Sequence, residues 1–94
     1  MLIDAFSRYT KGRRKVAMLE KYRENYRLIG LKIAYFRRKK GLTQEQLAEK
    51  MGSDLSWLAQ IEAPNTVRGI SLDSVFKIAE ALEVKPYKLL MFDD

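Results

Sequence analysis

The side chains of this chain that could do chemistry are the cations of Arg37-Arg38-Lys39-Lys40 and the amides and hydroxyls of GLTQEQLAEKMGSDLSWLAQIE, Gly41 to Glu62. Their chemistry is binding rather than bond-making. The chain has no His and no Cys, so it lacks the commonest general base, the commonest metal ligand and any thiolate nucleophile or disulfide. Glu45 and Glu49 stand i, i+4 on one predicted helix beside Gln46 and Lys50, which reads as ordinary solvated helix surface. No carboxylate pair, nucleophile–base set or Gly-rich phosphate loop can be assembled at believable spacing. The expectation is therefore a protein that is not an enzyme and uses neither metal nor cofactor. The basic run reads in two ways: as a solvated helix end, or as phosphate contacts.

Short helices must position these groups. Thr43 and Asp54 each suit a helix N-cap, where a side-chain oxygen accepts a free backbone N–H of the first turn. Gln46, three residues after Thr43, completes the pattern of a capping box. Leu47, Ala48 and Met51 line one face of the helix after Thr43, and Leu58 and Ile61 one face of the helix after Asp54. Gly52 permits the sharp turn between them. Two capped short helices joined this way can present the second one to the major groove of DNA.

Three more helices follow from spacing and punctuation, five in all, with no alternating strand pattern. Helix 1 runs to about Lys39, with Ile29, Ile33 and Phe36 on one face and Gly41 after its basic last turn. Ala63-Pro64-Asn65 stops helix 3. Ser71 caps helix 4, whose stripe is Leu72, Val75, Ile78, Ala79 and Leu82. Pro86 opens a short helix 5, with Leu89 and Leu90 packing back on the core. All five have a face to bury, so the fold class is an all-α bundle.

The 94 residues, 47% of them apolar, support one core. Eighteen Lys+Arg against twelve Asp+Glu give a net charge of +6, which suits a polyanionic partner. Residues 1–27 carry eight basic and three acidic side chains, leaving ten and nine for residues 28–94. The division expected is a basic extension, 1–27, before a nearly neutral compact domain, 28–94. Val16, Leu19, Tyr22 and Tyr26 predict a helix from about Arg13 running into helix 1, with Ser7 or Thr10 as caps and Gly12 as a break. A basic arm reaching DNA, an added helix at a dimer interface and a frayed tail are the roles open to the extension. No apolar run approaches the roughly 20 residues that span a bilayer, and no signal-peptide core opens the chain, so no membrane is expected and the location expected is cytoplasmic.

Ile29-Gly30-x-x-Ile33 with Arg37, Gly41-Leu42-Thr43-Gln44-x-x-Leu47-Ala48, Gly52, Leu58, Ile61-Glu62 and Ser71-Leu72-x-x-Val75-x-x-Ile78-Ala79-x-Ala81-Leu82 together resemble the Cro/phage-repressor-like helix-turn-helix family, often called XRE-type. The match covers roughly residues 28–91, and many positions agree in register. The resemblance implies a lambda-repressor-like domain of five helices whose third reads DNA, in a homodimeric transcription regulator. By position it implies that Gln44 contacts phosphate at a helix N-terminus. It also implies that Arg37 and Glu62 form a structural ion pair joining helix 1 to helix 3, leaving Arg38, Lys39 and Lys40 as phosphate contacts. Leu55, Ser56 and Gln60 fall at base-reading positions, and Asn65, Thr66 and Arg68 where the family approaches the duplex backbone.

Departures from the pattern qualify this. The family often has Gln or Arg where this chain has Leu55, Ser where it has Ala59, an apolar residue where it has Ser53, and a small or polar residue with glycine where it has Ala63-Pro64. Gln60 can pair bidentately with adenine, Ser56 can reach a base edge, and Leu55 or Trp57 can touch a thymine methyl. With so few donors, part of the discrimination is expected from DNA shape or a tandem dimer. For Trp57 two readings stand, packing against helix 2 or the loop and contact with DNA. Dimer candidates are Tyr87, Leu90, Met91 and Phe92, with the N-terminal extension as competitor. Two functions are weighed. One is a sequence-specific DNA-binding regulator, a repressor. The other is a protein-interaction module on the same fold, such as an antitoxin or phage-control component, which the apolar Leu55, Trp57 and Ala59 favour.

Overall fold

Thr43, Asp54 and Ser71 each start a helix in the computed structural model of the protein, which describes residues 20–66 and 68–92. Among these residues there are four α-helices, one 3-10 turn and no strand: α1 (Arg23–Lys39), α2 (Gln44–Met51), α3 (Leu55–Glu62), α4 (Leu72–Leu82) and the turn Pro86–Leu89. The class is all-α, as the spacing predicts. The count differs, because the fifth helix is a four-residue 3-10 turn with Pro86 at its start. Residues 1–19, which hold most of the helix expected from about Arg13, lie outside the described residues; Glu20 and Lys21 are helical, but Tyr22 is a turn, so that segment does not run unbroken into α1.

Local chemistry accounts for each boundary. At α2 the Thr43 hydroxyl accepts from the Gln46 N–H (3.1 Å) while the Gln46 side chain accepts from the Thr43 N–H (2.8 Å), a complete capping box. The Asp54 carboxylate accepts from Ser56 N–H over a longer 3.4 Å. Gly52 ends α2 with φ of 66°, a left-handed conformation that a glycine adopts without strain. Ala63, before Pro64, is extended and terminates α3, and Thr66 N–H closes a turn onto its carbonyl.

The core is one cluster drawn from every element: Ile29 and Ile33 of α1, Leu47 and Ala48 of α2, Leu58 and Ile61 of α3, Val75, Ile78, Ala79 and Leu82 of α4, and Leu89 of the turn. Helix α1 is the spine, packing on α3, α4 and the turn, while α2 packs on α3 and α4. At Gly30 the α1 backbone comes so close to α3 that a Cβ there would lie 2.2 Å from the carbonyl oxygen of Ile61.

Two side chains sit otherwise than the stripes predict. Leu72 is 61% exposed, because it is the first residue of α4 and projects beyond the layer that covers Val75 and Ile78. Leu90 is 40% exposed; the 3-10 turn has three residues per turn and ends at Leu89, which alone points inward. Phe92, a dimer candidate in the sequence, is half-buried against the core of its own chain.

Candidate functional site

Helix α3 divides its eight residues sharply between two faces. With about 100° per residue, Leu55, Ala59, Ser56 and Gln60 occupy one arc of roughly 140°, and Trp57, Ile61, Leu58 and Glu62 occupy the rest. Leu58, Ile61 and Glu62 are buried, and Trp57 is half-buried against the core. Leu55, Ser56 and Gln60 are exposed, and Ala59 is half-buried between them. The outward arc carries no charge. Its two stripes are one turn long, Leu55 with Ala59 and Ser56 with Gln60.

Three helices are tied together behind this arc. Arg37 of α1 donates to Glu62 of α3 through Nε (2.8 Å) and Nη2 (3.0 Å), and through Nη1 to the Leu42 carbonyl (2.7 Å). Gln44, the first residue of α2, donates its amide to the same Glu62 carboxylate (2.9 Å). Glu62 thus accepts from three donors while buried, and no buried side-chain polar atom among the described residues lacks a partner. Fully hydrogen-bonded pairs of this sort orient elements, while the desolvation of both charges offsets most of their attraction.

Between the start of α2 and the outward arc of α3 lies an open cleft of about 570 Å³ lined by Arg37, Thr43, Gln44, Glu45, Leu55 and Ala59. It brings together two of the residues expected to contact DNA, Gln44 and Leu55, with Arg37 of the expected ion pair. The free backbone N–H groups of the first α2 turn and the second amide hydrogen of Gln44 can serve an anion there. Asn65, Thr66 and Arg68 are exposed in the connection after α3. Arg38, Lys39 and Lys40 are exposed at the end of α1, where the Lys39 ammonium lies 5.8 Å from the centre of the Tyr35 ring. Trp57 packs against the core with part of its surface still open.

Ala59 shares the cleft wall with Leu55, as their i, i+4 spacing allows, although it is absent from the expected DNA contacts. The Gln44–Glu62 bond joins residues eighteen apart and depends on how α2 crosses α3, for which no local signal exists.

A family model described as helix-turn-helix matches residues 33–89. Among solved structures, a hypothetical transcription factor, NHTF, from Neisseria is similar at 31% identity with a TM-score of 0.66, the match covering 71% of this chain and 75% of that one. The restriction-modification controller protein C.AhdI from Aeromonas hydrophila is similar at 33% identity with a TM-score of 0.65, over 70% of this chain and 97% of that one. No curated protein matches.

Proposed function

This chain belongs to the helix-turn-helix family of DNA-binding regulators, and from that premise we propose that it is a sequence-specific repressor binding double-stranded DNA as a homodimer, with α3 in the major groove. The observation that carries the reading is the outward arc of α3, where Leu55, Ser56 and Gln60 are exposed beside the start of α2. Ser56 and Gln60 supply its hydrogen bonds to base edges, Gln60 being suited to adenine N6 and N7. Gln44 and the α2 N-terminus take a phosphate. Arg38, Lys40, Asn65, Thr66 and Arg68 meet the backbone to either side, fixing register rather than sequence. The similarity to a transcription factor and a restriction-modification controller supports the regulatory role.

Tyr87, Leu90 and Met91 at the C-terminal end of the domain are exposed apolar side chains suited to a dimer contact, whereas Phe92 is taken up by its own chain. A second reading, a module that binds a protein partner, draws on the exposed pair Leu72 and Phe76, one turn apart on α4. Selection of bound duplexes from a random DNA pool, followed by footprinting, separates the two. A regulator enriches symmetric half-sites about one helical turn apart; a pool that enriches nothing sinks the proposal and favours the protein partner.

A further inference from the structure

We propose that α3 reads A·T pairs, and that Leu55 does so by receiving the C5-methyl group of a thymine on the apolar stripe it forms with Ala59. The inference rests on the DNA-binding reading of the same face and names what that face recognises.

Elimination among base-edge partners leads there. The commonest reader of guanine is an Arg or Lys, and the α3 sequence LSWLAQIE contains neither. Cytosine N4 is read by a carboxylate, but the outward arc of α3 carries none: Glu62 is buried and already accepts from Arg37 and Gln44, Asp54 stands ahead of the helix as its cap, and Glu45, which lines the cleft, belongs to α2. The Ser56 hydroxyl serves any base edge and so discriminates little, Gln60 is suited to adenine, and the uncharged stripe Leu55–Ala59 is suited to the one apolar group in the major groove, the thymine methyl. Trp57 lies half-buried against the core, whereas Leu55 belongs to the exposed arc. Leu55 is 39% exposed at the first position of α3, where recognition helices approach base edges. Facing it across the cleft, Gln44 is held by its bond to Glu62, so the wall opposite the methyl is fixed before DNA arrives.

The test uses the duplex enriched from the random pool, with each thymine replaced in turn by deoxyuridine, which removes the methyl and leaves pairing and every other groove atom in place. At one thymine in each half-site the affinity of the unaltered protein should fall about fourfold per methyl, the factor equivalent to ~0.8 kcal/mol for one buried CH₂-sized group. Leu55→Ala should bind the thymine and uracil duplexes alike, while Gln60→Ala should keep the difference. The deoxyuridine scan needs no variant, so it decides even if Leu55→Ala folds poorly. A duplex that is bound tightly but is indifferent to every deoxyuridine, or that carries G·C pairs beneath α3, overturns the methyl reading and leaves DNA binding intact. A protein that binds no duplex overturns both.

Discussion

Glu62 is buried and accepts three side-chain hydrogen bonds from two other helices. Its carboxylate accepts from Arg37 and Gln44 out of water, so one residue sets the mutual position of α1, α2 and α3. Removing one member leaves a buried charge without its counterion, which outweighs what the intact pair contributes. Glu62→Ala should therefore lower unfolding free energy by ~3–5 kcal/mol, whereas Arg37→Met combined with Glu62→Leu should cost less than Glu62→Ala alone. Urea titration of the three proteins checks this, and a double variant weaker than the single one would contradict it. None of these bonds follows from spacing. The Arg37–Glu62 pair was suggested by resemblance to a family, and Gln44 was read as a phosphate contact without sign of its bond to Glu62.

The helices were legible where their ends are made locally. Thr43, Asp54 and Ser71 cap the elements they were expected to cap, because a cap needs only side chains within three residues of it. Pro86–Leu89 was not legible as a 3-10 turn, since four residues cannot distinguish a period of 3.0 from one of 3.6. Leu72 misled because helical spacing says which side of a helix is apolar but not how far along it the core reaches. The caps differ in strength, and stability should follow. Thr43→Ala breaks a two-bond box and should cost ~1 kcal/mol, while Asp54→Ala, losing a 3.4 Å bond, should cost about half that or less. Thermal unfolding of both variants measures the ranking. The crossing of α1 over α3 depends on Gly30, where helix propensity and packing oppose one another. Alanine would favour the helix by up to ~1 kcal/mol, but its Cβ would collide with the backbone oxygen of Ile61, which cannot give way as a side chain could. Packing wins: Gly30→Ala should destabilise by ~2 kcal/mol or more, read as a lower urea midpoint, and an unchanged midpoint would refute the close approach.

At the scale of the molecule the parts divide the labour of recognition. A core shared by all elements fixes α3 at an angle, the polar network behind it stops it from rolling, and its uncharged outward arc is left for base edges. Exposed cations stand elsewhere, at the end of α1 and in the connection after α3, so the proposed function assigns sequence preference and general attraction to phosphate to different residues. They should therefore be separable by substitution. The most direct measurement compares the affinity of the intact protein and Gln60→Ala for the enriched duplex and for a random duplex at one salt concentration. Loss of a bidentate contact to adenine should weaken the enriched site at least about fivefold, from ~1–3 kcal/mol of discrimination, and leave the random duplex unchanged. Equal weakening on both duplexes, or none on the enriched one, would contradict the assignment of base reading to the outward arc of α3.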